Sequence, residues 1–397
     1  MASSDDKGGG TTKFVGTIKI AGKPVRDYDV IEVTITSELD RPDSFAVTLG
    51  LSTEVTELLK DLKLTAPIEV RTGYHGDDGD DAAFIGEVTG VEPIHAPTGS
   101  DGGYTVVRGL NGLHALSRGK RSCAYSQLPG KQITDQDILL EVLKRYKSSF
   151  NPTPDYGEAD HKKPPEIKYS HVYQHNQSDL EFVRHRAARI GYYVLVRRDK
   201  DTKKDKLLFQ KRTATPSSVR LVLNAPRVGK GSDGEQTVAM TRFVPSLSTA
   251  NQVTKVRVRC FNPKTRMELI CEAPESGSGA LLGGKAGKAA IEEKHPESAL
   301  VRSDIPFESV DEGKAIAASI LDERLLSYVT AEGTTPGDPR LKPGLVVKVS
   351  TNLNPNDKGK DEPYLITYVR HWYRSKGQEA YTTDFRCKRD ATGKSSG

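Results

Sequence analysis

Hydrophobic and polar residues alternate with a period of two through the early part of the chain. Ile31, Val33 and Ile35 interleave with Glu32, Thr34 and Thr36, and Phe45, Val47 and Leu49 interleave with Ala46 and Thr48. Such alternation puts one face of a strand in a core and the other in water. The turn formers Asp40, Arg41, Pro42 and Asp43 separate the two runs and predict a hairpin. A short helix is expected at 54–62, then strands at 68–71, 84–91 and 104–108. The period changes to 3.6 in two later stretches. Thr134 with Asp137 opens a helix over 134–146 that carries Leu139, Val142, Leu143 and Tyr146 on one face. Ser178 with Glu181 forms a second capping box, Leu180, Val183, Ala187 and Ile190 make an apolar stripe, and Gly191 ends the helix. The β-branched and aromatic run 192–196 then reads as a strand.

The last seventy residues or so repeat the layout of the first hundred. A strand at 345–349, a polar loop at 352–362, a longer strand at 364–372 and a strand at 381–386 match 68–71, the loop 73–81, 84–91 and 104–108. Local wording agrees, FIGEVTGV against YLITYVRHW and YTVVRG against YTTDFRC. Two copies of one small antiparallel barrel are inferred. Between them lie a Pro-rich charged loop at 151–165, a charged hairpin tip at 200–206 and a returning strand at 206–211. The second barrel is expected to open with the strand 253–260. A Gly- and Ala-rich span at 276–290 interrupts it, and Ser309 with Glu312 caps the longest helix, 310–328, whose core face is Ile316, Ile320, Leu321 and Leu325. The predicted class is α+β, mainly β, with two antiparallel β-barrel domains and inserted α/β domains. The expected divisions are a flexible tail at 1–12, barrel 1 at 13–122, an inserted α/β domain at 123–235, barrel 2 with an inserted loop and long helix at 236–390, and a flexible tail at 391–397.

Composition narrows the chemistry. At 397 residues, 36% hydrophobic and 28% charged, the chain can hold two or three ordinary globular cores. No apolar run is long enough to span a membrane, and the first residues lack the apolar core of a signal peptide, so synthesis in a cytoplasm without membrane insertion is expected. The net charge of +5 permits an anionic partner without demanding one. Cys123, Cys260, Cys271 and Cys387 are scattered without a C-x-x-C pair and read as reduced core or strand residues. His171 and His175 have a zinc-binding spacing only on a helix; in the extended segment before Ser178 they stand about 13 Å apart. The acidic run Asp77, Asp78, Gly79, Asp80, Asp81 lacks the alternating ligands and closing Glu of a calcium loop and reads as a hairpin tip. Gly277, Gly279, Gly283, Gly284 and Gly287 form no phosphate loop, because Lys285 is followed by Ala286 and Gly287. No nucleophile motif is present, and spacing alone does not decide whether carboxylates pair for glycoside cleavage. Arg184, Arg186, Arg189, Arg197, Arg198, Lys200, Lys203, Lys204 and Lys206 form a dense basic cluster diluted by Asp199, Asp201 and Asp205, which reads as a solvated face rather than base readout. No catalytic, cofactor-binding or metal-ligating residue is assigned, and no cofactor.

The stretch around the second capped helix also carries a resemblance. Tyr173, Gln174, Gln177, Ser178, Asp179, Leu180, Phe182, Gly191 and Tyr192 resemble the signature of the late control protein D family, the tail hub proteins of contractile-tailed phages, shared with the hub part of VgrG-like spike proteins in type VI secretion. Pro339, Leu341, Pro343, Gly344 and Val346, with the strands after them, are similar to the family's C-terminal barrel. The resemblance implies two tube-like barrels per chain and a homotrimer whose six units join the sixfold tail tube to a threefold central spike. It implies a virion or injection-particle baseplate location, a tail tube ring and baseplate components as partners, and no enzyme activity. Nothing after Arg389 resembles a spike needle or neck, so a separate spike protein is expected. A tail-associated peptidoglycan-degrading enzyme is the alternative, and a tube or sheath subunit, which needs only one barrel, is a third reading. Charge substitutions within 84–91 or 364–372 are expected to abolish assembly without unfolding the chain.

Overall fold

The structure, a computed structural model, describes residues 15–73, 82–94, 103–126, 132–157, 164–199, 201–211, 215–225, 229–230, 235–262, 265–273, 282, 285–351, 361–375 and 381–392. The expected tail at 1–12, the acidic run 77–81, Lys200, and Gly277, Gly279, Gly283 and Gly284 lie outside the described residues.

The N-terminal set of elements is β1 (Val15–Ile20), β2 (Lys23–Val25), β3 (Val30–Glu38), β4 (Ser44–Gly50), α1 (Thr53–Lys60), β5 (Pro67–Gly73), β6 (Ala82–Ile94) and β7 (Tyr104–Leu110). Next come β8 (Arg121–Tyr125), α2 (Asp135–Lys144), β9 (Val172–Gln177), α3 (Asp179–Arg189), β10 (Tyr192–Arg198) and β11 (Asp205–Lys211). The remainder contains β12 (Val219–Leu223), β13 (Gly229–Lys230), β14 (Gln236–Met240), β15 (Arg242–Leu247), β16 (Lys255–Asn262), β17 (Met267–Glu272), β18 (Lys285–Ala286), α4 (Gly287–Glu292) and β19 (Ala299–Arg302). It ends with α5 (Val310–Leu325), β20 (Val329–Pro336), β21 (Val346–Ser350), β22 (Glu362–Arg374), β23 (Tyr381–Arg389) and β24 (Ala391–Thr392).

The repeat read from sequence is present as topology. Paired neighbours run β3, β4, β7, β6, β5, β1 in the first set and β15, β20, β23, β22, β21, β12 in the second, within one 15-stranded sheet. Even an irregularity recurs: β6 shifts register against β7 between Val88 and Gly90, and β22 shifts against β23 between Ile366 and Tyr368. Each shift leaves a threonine, Thr89 or Thr367, as the extra residue of a bulge. In each set one face is a core, built in the first from residues such as Val33, Ile35, Val47 and Val107, and in the second from Ala331, Ile366, Val369 and Phe385.

Two details depart from a pair of plain antiparallel barrels. β12 pairs in parallel with both β14 and β21. Neither set closes on itself among the described strands; instead the two are stitched together. β22 pairs with β21 through 362–365 and with β3 through 368–374, so one long strand belongs to both sets.

The expected opening strand of the second barrel, 253–260, is a strand but belongs elsewhere. As β16 it pairs with β17 and β19 in a separate three-stranded sheet, against which α5 packs Ile316, Leu321 and Leu325. Residues 248–328 thus intervene between β15 and β20, where the first set has only the β3–β4 turn. Ala391 and Thr392, expected in the flexible tail, pair with Ala286 and Lys285.

Both central helices have the caps read from sequence. Ser178 accepts from the Glu181 N–H and the Glu181 carboxylate accepts from the Ser178 N–H; Thr134 and Asp137 do the same for α2. Gly191 follows α3 with φ +73°, a left-handed stop suited to glycine. At Ser309 only half of the box forms, because the Glu312 carboxylate turns to the Glu308 N–H at 2.9 Å and to Arg189.

The buried positions also relocate the assembly test. Phe84 and Val88 in one strand, and Tyr364, Ile366 and Val369 in the other, are core residues. A charge at any of these would unfold the chain, so substitutions selective for assembly must be sought on the exposed edges.

Candidate assembly surface

The strands β6, β7, β4, β3, β22, β23, β20 and β15 lie side by side in this order. Opposite their core faces they present one continuous polar surface. At its centre Trp372 donates its indole N–H to Glu32 at 2.7 Å, with the Arg374 guanidinium 4.0 Å and that of Arg370 5.3 Å from its ring. Arg386 pairs with Glu332 at 3.2 Å and lies over Tyr368, Thr334 donates to Asp384 at 2.9 Å, and Arg108 pairs with Glu92 at 2.9 Å. Exposed pairs of this kind contribute at most about 1 kcal/mol each. Their effect is instead a wall in which charges of both signs are matched across strands.

Beneath that wall at the junction of the two sets lies His371, buried, its Nδ1 3.1 Å from both the Thr383 hydroxyl and the Tyr381 hydroxyl. Burial pushes its pKa down to about 4, partly opposed by Asp338. The folded state therefore holds a neutral ring where the unfolded chain would take up a proton. Stability should fall as pH drops from about 6.5 to about 4, by on the order of 3 kcal/mol for this group. His371→Leu should remove that dependence, so in melts across this range the variant gains on the wild type as pH falls; a constant offset would contradict the assignment.

The two ends of the eight-strand stretch are open. Among the described residues no strand pairs with the outer side of β15, whose Val244 and Leu247 are 45% and 60% exposed. The half of β6 beyond its bulge is likewise paired only with β7.

The family model for the phage tail baseplate hub (GPD) matches residues 38–377. The chain belongs to that family. This hub protein is similar in fold to a tail protein of Neisseria meningitidis, at 14% identity and a TM-score of 0.61, over 95% of this chain and 97% of that one. It is similar to the 43 kDa tail protein of a Shewanella oneidensis prophage at 13% identity and a TM-score of 0.60, over 95% and 99% of the two chains. A third likeness is to an Escherichia coli component of the type VI secretion system, itself described as similar to bacteriophage T4 tail proteins, at 15% identity and a TM-score of 0.53 over 94% and 76%. No curated protein sequence matches the chain.

In the hub protein the motif that carried the resemblance is a clasp. The buried Gln174 side chain accepts from the Tyr125 hydroxyl at 2.9 Å and donates to Asp179 at 2.9 Å. Asp179 also receives Arg145 at 3.1 Å, Arg121 at 3.2 Å and the Tyr146 hydroxyl at 2.8 Å. Gln174 and Asp179 therefore tie β8, β9, α2 and α3 together. The His171 and His175 rings flank exposed Tyr173 at one end of and within the extended β9. Among the described residues no group of three or more His, Cys, Asp or Glu could hold a metal ion, and no helix is long and apolar enough to cross a membrane. The four cysteines are free, Cys271 and Cys387 buried.

Four members of the basic cluster read from sequence meet acidic partners. Arg186 is buried against Asp135 at 2.7 Å, Arg189 meets Glu312, Arg198 pairs with Asp205 at 3.0 Å and Lys206 with Asp155 at 3.1 Å. Sequence reading missed the polar wall and its open edges. The cue was available in the alternating charges of β22 and β23, Arg370, Arg374, Asp384 and Arg386, but their partners lie on strands far away in the chain.

Proposed function

We propose that this hub protein is a homotrimer, three chains closing six similar sheet units into one ring that joins the sixfold tail tube to the threefold central spike. One observation carries the reading: the two units of one chain share strand order and bulge position, and are already joined through β22 and β3 as neighbours in a ring would be. Repeating that junction around an axis makes three chains equivalent to six units. The polar wall lines the central hole, where matched charges let cargo slide without being held. The tail tube ring binds one side of the ring and a spike protein the other, with other baseplate components around them. The location is the baseplate of a phage tail or related injection particle, assembled in the bacterial cytoplasm without membrane insertion or specific nucleic-acid binding.

Its role is geometric rather than catalytic. Burial raises the Tyr169, Tyr364 and Cys387 pKa values well above their ordinary ones, which fits side chains held in packed cores. Two experiments test the proposal. Purified protein mixed with the tube protein of its own particle should appear in negative stain as a single ring at one end of each tube; unbound tubes would contradict it. On purified cell wall it should leave turbidity unchanged, whereas clearing would favour a peptidoglycan-degrading enzyme.

A further inference from the structure

The internal junction specifies in detail how the two open edges would meet in a ring. Pairing β22 with β3 places Val369 opposite Ser37, Arg370 opposite Thr36, His371 opposite Ile35 and Trp372 opposite Thr34. Structural equivalents of both strands follow from the shared topology. The common bulge aligns Thr89 with Thr367, so Val91, Glu92, Pro93 and Ile94 of β6 stand where Val369, Arg370, His371 and Trp372 stand in β22. Through their pairings with β4 and β20, Thr34, Ile35, Thr36 and Ser37 of β3 correspond to Val244, Pro245, Ser246 and Leu247 of β15.

We infer that β15 of one chain adds antiparallel to the outer half of β6 in a second copy, with Val91 opposite Leu247, Glu92 opposite Ser246, Pro93 opposite Pro245 and Ile94 opposite Val244. The inference rests on the trimeric reading and adds which edges meet and in what register. Two observations support it. First, these are the edges that the internal template uses, and neither is paired within the chain among the described residues.

Second, the transferred register keeps faces together. Val91 packs against the core of the first set, and Leu247 lies on the face of β15 from which Phe243 packs on the core of the second. Ile94 and Val244 fall on the polar wall, 38% and 45% exposed. A slip of one residue would set core face against wall face. The Leu247 side chain, 60% exposed in one chain, gains Val91 as an apolar neighbour in this register.

The prolines limit how tight this seam is. The Ser248 N–H donates to Tyr328 O, so even-numbered residues of β15 hydrogen-bond toward β20 and Pro245 turns its nitrogen outward. The Leu39 N–H donating to Thr367 O fixes the same phase for the template, and with it for Pro93. Each proline costs its own chain no ladder bond and blunts its edge against indiscriminate strand addition. In the seam they meet at one rung, which is left to side-chain contact while the Val91 and Leu247 rung carries backbone bonds. The seam between chains is thus looser than the seam within one.

Cross-linking tests the register. The pair Ile94 and Val244 falls in the phase without backbone hydrogen bonds, where facing Cα atoms stand about 4.5 Å apart, within disulfide reach. Both residues are exposed, so cysteine there disturbs no core. Purified full-length Ile94→Cys, Val244→Cys protein, oxidised, should run without reductant as covalent dimer and closed trimer and return to monomer on reduction. Each single variant, and the displaced pair Glu92→Cys with Val244→Cys, should stay monomeric on the gel. Light scattering on the same samples separates the failures. A trimer that does not cross-link, or that cross-links through the displaced pair, overturns the seam and leaves the hub reading standing. A monomer in solution overturns both, and a covalent ladder beyond trimer overturns ring closure.

Discussion

Phe385→Val should cost about 2–4 kcal/mol, and adding Gly333→Val should restore much of that loss. Phe385 is buried and faces Gly333 across the β20–β23 pair, where a Cβ on the glycine would run into its ring. At the equivalent position the first set has Val47 facing Val107, both fully buried. One core layer is thus filled once by a large and a small residue and once by two of middle size. Removing ring atoms alone leaves a cavity, and adding a valine opposite the intact ring overpacks by about 1–3 kcal/mol. Together they reproduce the first set's solution, so urea midpoints should show the double variant better by 1 kcal/mol or more than the sum of the singles, in the sense of a coupled pair. Additive losses would show that the two sets are not equivalent at this layer.

Arg186→Leu should destabilise by about 3–5 kcal/mol. The Arg186 Nε lies 2.7 Å from the Asp135 carboxylate, its guanidinium is 4.3 Å from the Tyr169 ring centre, and the Tyr169 hydroxyl donates to the other Asp135 oxygen at 2.9 Å. Asp135 is 1% exposed. Without the arginine a buried carboxylate keeps one hydroxyl donor, which is why losing one partner costs more than the pair contributes. Asp135→Asn combined with Arg186→Leu should recover a large part of the loss, as measured by thermal melting; a double variant as unstable as the sum of the singles would contradict this.

Local signals were legible where their cause is local. The capping boxes of α2 and α3, the left-handed Gly191 and the β3–β4 hairpin depend on residues within a few positions of one another, and each formed as read. The duplication was legible too, because strand lengths and loop character repeat. What escaped sequence reading depends on partners far away. β16 alternates as a barrel strand would, yet nothing in 253–260 states which sheet it joins. Arg186 and Arg189 read as a solvated basic face because Asp135 and Glu312 stand 51 and 123 positions away. The β22–β3 junction has the same side-chain pattern whether its neighbour belongs to this chain or to another. For that reason two separate barrels were expected where, among the described strands, the two sets pair into one longer sheet.

The central claim is that one chain supplies two of six ring units. Light scattering on the purified protein, with negative-stain images of the same fraction, tests it most directly. The account predicts a mass three times that of the 43.4 kDa chain and rings with a central hole and near-sixfold outline; a compact monomer at tens of micromolar with no rings would contradict it.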